Sequence, residues 1–366
     1  MTMSELPGDV VEEILCYVPA TSLKRLRSTC KRWNLLLDDA RFARKHFDKA
    51  ARHILIIMLT EEYSRVCLMN INLHGFSSIG VIGELSLINS HPSLRIADIS
   101  KAFHYDGLLL CTIKDSTSLV VWNPCTGQTI QTTVPYKTVY STFALGSYKD
   151  KNSGYNNSYK ILCYYQLKEF AIYEIKTNSW KTLDVALDFR LIYIDYKVSL
   201  KGKTYWFAED NGENHQKALF LASFDYSTEI FGRMCLPCYC SSFSLWNIAL
   251  SVVKEEKLSM LLQHENTSRT EIWVTNKIDE TNVVSWSIFL VVDSSKIYIN
   301  YGVRFLVEEE KKFVVCWHRK VHELKEEYMI ITEGDNKVME VDFEASTMSS
   351  CMSPLLTYVP SLVQIQ

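Results

Sequence analysis

Between residues 6 and 47 the large apolar side chains recur three and four positions apart, the spacing of a helix face, and from residue 54 onward the pattern shortens to strand-like runs. Pro7 suits a first helical turn, where its missing N–H costs nothing, and Asp9, Glu12 and Glu13 complement the dipole of the helix that follows. Val10, Val11, Ile14, Leu15 and Val18 make one apolar face. Pro19 disfavours the helical region for Val18 and ends that helix, after which Thr21 or Ser22 caps a second one carrying Leu23 and Leu26. A third carries Cys30, Trp33, Leu36 and Leu37. The pattern predicts a small all-α module of three or four short helices over residues 1–50. A unit of roughly forty to fifty residues buries too little of its own surface to be stable alone, so the rest of the chain or a second protein must cover it.

Residues 54–366 read as all-β: β-branched and aromatic runs separated by Gly, Asn, Asp, Ser and Pro. The runs recur, each ending in a large residue followed by a polar turn, as in "CLMNINLHG", "LVVWNPCTGQT", "FAIYEIKTNSW", "LASFDYSTEIF", "TEIWVTNK" and "VMEVDFEAST". Counting Met69, Trp122, Tyr173, Phe224, Trp273 and Val341 gives intervals of 53, 51, 51, 49 and 68 residues. The long interval holds "EEEKK" and "HELKEE", which read as an insertion in an exposed loop. A period near fifty in an all-β sequence is the signature of a kelch-like propeller, whose blades must stack in a ring to cover their faces. Residues 54–353 fit six degenerate blades, with five or seven blades, or a β-sandwich array, as alternatives. The helical module and the propeller are expected to have separate cores joined near Ala50 to His53.

Composition changes this picture little. The chain has 366 residues, 47% hydrophobic and 22% charged, which suits one large domain plus a small module. The net charge of −3 conceals a split: 10 Lys and Arg against 7 Asp and Glu over residues 1–52, and 29 against 35 in the remainder. A basic helical module facing an acidic partner is consistent with this. The N-terminus has neither the basic start nor the apolar core of a secretory signal, and runs such as "ILIIML" are too short to span a membrane. The expected location is therefore the cytoplasm, the nucleus or both, with the 11 cysteines as free thiols.

Candidate chemistry is sparse. "CLPCYC" places Cys235, Cys238 and Cys240 together, but the second half of a zinc site is missing. His318 and His322 have the i, i+4 spacing that binds a metal only on a helix. Gly75, Gly80 and Gly83 match neither a P-loop nor a dinucleotide fingerprint, and pairs such as Glu61-Glu62 and Glu255-Glu256 point to opposite faces if in a strand and are solvated if in a loop, so a paired acid/base role is not expected. The aromatic residues read as core, because a nucleic-acid stacking surface needs a positive groove and this half of the chain is acidic. No catalytic residue, cofactor or metal is expected, and no nucleic acid or membrane partner.

Two resemblances sharpen the reading. Leu6-Pro7, Ile14-Leu15, Pro19, Ser22-Leu23, Cys30-Lys31-Arg32-Trp33 and Phe42 stand at the spacing of the F-box, with Tyr17 and Thr29 as departures. "HYDGLLLCTIKDSTSLVVWNP", "IYEIKTNSWKTLDV", "VSLKGKTYWFA", "TEIWVTNKI", "VSWSIFLVVD" and the closing "YVPSLVQIQ" resemble the plant F-box-associated interaction domain. The resemblance implies a non-catalytic substrate receptor of an SCF-type ubiquitin ligase. The F-box would dock on a Skp-type adaptor, and through it on a cullin-RING scaffold, while the propeller recruits a target protein of unknown identity. Leu6, Pro7, Val10, Val11, Ile14, Leu15, Pro19, Leu23, Leu26, Cys30 and Trp33 are the candidates for the adaptor seam or its immediate support. The alternatives are a propeller enzyme of the oxidase or lyase kind and a carbohydrate-binding F-box receptor.

Overall fold

The computed structural model describes residues 6–27, 29–49, 55–60, 66–72, 78–85, 99–114, 117–136, 141–150, 157–166, 169–211, 218–237, 248–263, 269–278, 284–293, 303–310, 312–320, 325–332, 338–341 and 351–365. Four helices come first: α1 (Gly8–Cys16), α2 (Ala20–Leu26), α3 (Lys31–Leu37) and α4 (Ala40–Lys49). Pro7 and Pro19 occupy the N-cap positions of α1 and α2, so Thr21 and Ser22 lie inside α2 and do not cap it. Asp39 caps α4, its Oδ1 accepting the Phe42 N–H at 3.0 Å. Of the three carboxylates expected to serve the α1 dipole, only Asp9 lies in the first turn. Glu12 and Glu13 reach across to α4 instead, pairing with Lys45 at 2.9 and 3.1 Å, and Glu13 also pairs with Lys49.

The described strands form six antiparallel sheets. The first contains β1 (Leu55–Thr60), β2 (Val66–Asn72) and β3 (Ser78–Leu85). The second contains β4 (Ile99–Tyr105), β5 (Leu108–Ile113), β6 (Ser118–Trp122) and β7 (Thr129–Thr133). The third is β8 (Ser141–Lys149), β9 (Asn157–Tyr165), β10 (Glu169–Glu174) and β11 (Ser179–Leu183). The fourth is β12 (Phe189–Ile192), β13 (Val198–Leu200), β14 (Lys203–Asp210), β15 (Leu219–Asp225) and β16 (Ile230–Met234). The fifth is β17 (Ile248–Val253), β18 (Lys257–Gln263), β19 (Arg269–Thr275) and β20 (Trp286–Asp293). The sixth is β21 (Arg304–Glu308), β22 (Phe313–Lys320), β23 (Lys325–Thr332) and β24 (Val338–Val341). The last strand, β25 (Cys351–Tyr358), returns to the first sheet and pairs with β1.

The first strands of neighbouring sheets touch in a closed circuit, β4 to β8 to β13 to β17 to β21 to β25 and back to β4. Each sheet therefore has a neighbour on both faces, which explains why β5, β6 and β9 are buried along nearly their whole length rather than on alternate residues. The outermost strands β7, β11 and β16 are mostly open to water. The fifty-residue anchors fall on one structural position in five cases: Met69, Trp122, Tyr173, Phe224 and Trp273 lie on β2, β6, β10, β15 and β19, the third strand of each sheet. Val341 does not, since it lies on β24, a fourth strand. The interval of 68 therefore runs from a third strand to a fourth, which lengthens it. Glu308 ends β21, Glu309 and Glu310 turn from it, and Lys325, Glu326 and Glu327 begin β23, while Lys311, His322, Glu323 and Leu324 lie outside the described residues.

The expectation of two separate cores is overturned. Val11, Leu15, Ala20, Leu23, Leu37 and Phe42 of the helices share one buried cluster with Cys125 and Leu362 of the sheet half. The segment after β25 runs between the two parts, with Val359, Ser361, Leu362, Val363 and Ile365 all buried. It is tied down by Asn123, which is wholly buried. Its Nδ2 donates to the Ser361 and Val363 carbonyls at 3.1 and 2.6 Å, while its Oδ1 accepts the Cys125 and Thr126 N–H groups at 2.8 and 3.2 Å. On the other side Gln364 donates to the Asp38 carbonyl at 2.9 Å. The Asp106-Gly107 turn joining β4 to β5 has positive φ at both residues, and a Cβ on Gly107 would lie 2.1 Å from that of Ser361. Glycine is thus required there for two reasons, the turn and the close approach of the tail.

Candidate functional site

Helix α1 is apolar on two sides. Val11, Leu15 and Cys16 point into the shared cluster, whereas Val10 and Ile14 are 40% and 41% exposed and Tyr17 is 58% exposed. Pro7, exposed one turn earlier, continues the outward row at i, i+3, i+7 and i+10. A globular helix ordinarily presents polar residues opposite its buried stripe, so an open apolar row on this scale marks a surface that another molecule covers. On α3, Leu35 is 72% exposed while Leu37 is fully buried. Three successive leucines at about 100° per residue cannot all face one way.

The eleven seam candidates therefore divide. Pro7, Val10, Ile14 and Cys30 are exposed; Leu6, Pro19, Leu26 and Trp33 are half-buried; Val11, Leu15 and Leu23 are buried in the core. The last three cannot touch a partner without unfolding the module, and they serve a seam only as its support. Tyr17 and Leu35 belong with the exposed group, although only the sequence departure at Tyr17 drew attention to either. Val11 and Val10, or Leu15 and Ile14, are chemically alike, so composition alone could not separate inward from outward.

Helix α4 fixes the direction in which α1 faces. Phe42, Ala43, His46 and Phe47 are buried along it. The Lys49 and Lys45 ammonium groups hold the Glu13 carboxyl below its ordinary range. His46 donates through Nε2 to the Val18 carbonyl at 2.7 Å, and burial holds the imidazole neutral by pushing its pKa down. Arg27 clamps α2 to α3, contacting the Leu37 carbonyl at 3.1 Å and Asp38 at 2.8 Å. Lys24 reaches the Pro124 carbonyl at 3.4 Å, and Arg44 faces the buried Asp106 carboxylate at 3.6 Å. Asp106 also accepts the Tyr159 hydroxyl at 2.7 Å. The module is thus anchored on the sheet ring by one flank and open to solvent on the other.

The remaining sequence candidates do not assemble. Cys235 is exposed beyond β16, and Cys238 and Cys240 lie outside the described residues. His318 is on a strand, where the helical i, i+4 geometry does not apply; His322 lies outside the described residues. Gly80 and Gly83 lie on β3, while Gly75, Glu61 and Glu62 lie outside the described residues. Among the described residues no group of three or more His, Cys, Asp or Glu is placed to hold a metal ion, and no helix is long and apolar enough to cross a membrane. Cys16, Cys30, Cys111, Cys125, Cys163, Cys235 and Cys316 are free thiols, and burial pushes that of Cys125 up to about 11.

Comparison with known proteins agrees with this division of the chain. The profile of the F-box domain matches residues 3–45, and that of the F-box associated beta propeller domain matches residues 55–365. Among relatives in Arabidopsis thaliana, "Probable F-box protein At5g47300" is 52% identical over 376 residues, covering 100% of this chain and 88% of that protein. "F-box/kelch-repeat protein At3g44120" is 43% identical over 380 residues, covering 100% of this chain and 97% of that protein. With helices that carry an open apolar face, a closed circuit of antiparallel sheets behind them, and both profiles spanning nearly every residue, the chain belongs to the F-box proteins that carry an F-box associated beta propeller domain.

Proposed function

We propose that the chain is the substrate receptor of an SCF-type ubiquitin ligase, docking on a Skp-type adaptor through Pro7, Val10, Ile14 and their half-buried neighbours while the propeller holds a target protein. The observation that carries this reading is the apolar row on α1, left open although the opposite row of the same helix is already packed. Through the adaptor the chain would join a cullin-RING scaffold. Its contribution is positional: tethering the target near the transfer site turns an encounter between separate molecules into a nearly intramolecular step at high effective concentration. No bond-making step is assigned to the chain itself. The test is capture of purified Skp-type adaptor by the full chain, with a Val10→Ser, Ile14→Ser variant in parallel. Retention by the wild type and loss by a variant with an unchanged thermal melt supports the reading; failure of the folded wild type to capture the adaptor overturns it.

A further inference from the structure

The inner strands have two ends, and they differ in character. Helix α4 stands over the ends at which β4, β8 and β13 finish, where Arg44 and Phe47 line a cavity with Tyr105, Ser147 and Lys201. At the opposite ends, where those strands begin, lies a second cavity of about 220 Å³. Lys101 of β4, Thr142 of β8, Asp195, Tyr196 and Lys197 from the β12–β13 connection, and Arg304 of β21 converge on it from four sheets. Three cations therefore meet one carboxylate, within a half of the chain whose Asp and Glu outnumber its Lys and Arg.

One carboxylate, Asp195, serves all three cations and of the three bonds directly only to Lys101. Lys101 pairs with Asp195 at 3.1 Å at the rim, where both are at least half-exposed. Deeper in, Lys197 is buried, donating to the Thr142 hydroxyl at 2.6 Å and the Ile194 carbonyl at 3.3 Å, with its ammonium 5.3 Å from the Phe103 ring. Arg304 lies 5.5 Å over the Tyr196 ring, and its buried Nε has no hydrogen-bond partner among the described residues. Aromatic faces relieve a buried cation only in part, and an unfilled guanidinium donor in a buried site is costly. An oxyanion would fill both deficits through charge-assisted hydrogen bonds to the guanidinium and the ammonium. We infer that this cavity is an anion-binding site that takes a carboxylate or phosphoryl group at the propeller mouth facing away from the helical module. Burial pulls the Lys197 ammonium down to about 7 despite the neighbouring Asp195, the state of a cation that an incoming negative charge would restore.

The anion chemistry stands by itself; that a target protein's acidic or phosphorylated side chain bears it rests on the receptor reading above. The test is calorimetric titration of the full chain with inorganic phosphate and with a hexaglutamate peptide, at matched ionic strength, for wild type, Lys197→Met and Lys101→Glu. Saturable binding by the wild type is expected, weakened about tenfold or more in each variant. Lys101→Glu lies at the exposed rim and should melt as the wild type does, and Lys197→Met should melt at or above it, since a desolvated charge is removed. The peptide should bind more tightly on the acid side of pH 7 than on the alkaline side, because Lys197 protonates there beside Lys101, Arg304 and Asp195, with His104 held neutral and Glu255 in the adjoining cavity. Preference for the peptide assigns the site to a side chain of a target, and preference for phosphate assigns it to a free anion; both support it. Absence of binding by either probe at millimolar concentration, or binding that neither substitution weakens, overturns it. Adaptor capture by the same samples reads the receptor function separately.

Discussion

Helix α1 and strand β9 both carry apolar side chains on two faces, yet only one of them is covered twice. Strand β9 is buried from Ser158 to Tyr164 because its sheet is packed between neighbours in a closed circuit. Helix α1 has the propeller junction behind it, and among the described residues its outer row has no such cover, so Val10, Ile14 and Tyr17 stay open. The difference lies in position within the assembly and not in residue type. A ring completes itself, whereas a module attached to its end has one side left over, and that side is where a second protein fits.

Substitutions in the two regions differ in their expected effect on stability, the interior of the ring losing most and the outward row of α1 least. Trp122→Ala, at a third-strand anchor buried to 1%, should cost about 3–5 kcal/mol in urea unfolding, and Leu15→Ala about 2–5 kcal/mol. If the shared core is real, Leu15→Ala also speeds amide exchange around Leu362; unchanged exchange there would restore the picture of two separate cores. Asn123→Ala should come next. It strips partners from the Ser361 and Val363 carbonyls and the Cys125 and Thr126 N–H groups, at about 1–3 kcal/mol in all once water reaches the freed groups, and the exchange rates of the tail report it.

Acid acts on both regions at once. His46 and His104 have pKa values lowered by burial, His104 to about 3, and the Gly107 N–H donates to the unprotonated Nε2 of His104 at 3.2 Å. The unfolded chain then binds more protons than the folded one below the ordinary histidine range near 6.5. Stability should therefore fall steadily as pH drops from there toward about 3 for the His104 share, and a urea midpoint that stays level over the upper part of that window would contradict it. Smallest of all should be Val10→Ser with Ile14→Ser, which leaves unfolding within about 0.5 kcal/mol while removing adaptor capture. A large loss of stability from that pair would mean that the outward row is packed after all.

Much of this was legible along the chain. Helical spacing gave the module, and the interval near fifty found the third strand of five sheets, because each of those strands carries one such large residue. The sixth anchor failed because a large residue before an acid and a turn describes any hairpin end, and "VMEVDFEAST" supplies one on β24. Periodicity could not tell Val10 from Val11, since both rows of α1 are apolar and only the tertiary arrangement decides which is inside. The role of "YVPSLVQIQ" was invisible for a different reason: its partners Asn123 and Asp38 are far away in sequence and impose no local pattern. The basic cavity is likewise built from Lys101, Lys197 and Arg304, each roughly one hundred residues from the next, so no motif announces it.

The buried tail has a consequence for the order in which the protein is made. Asp38 and Gln364 are 326 positions apart, and Leu362 fills a gap among helices that leave the ribosome long before it. Until that leucine arrives, the inward row of α1 is covered only by the other helices, and the module lacks part of what sets the direction of its docking face. Synthesis of the ring thus acts as a checkpoint on the helices: a chain that stops before the tail carries every residue of the adaptor seam but not the wedge that holds those residues in place.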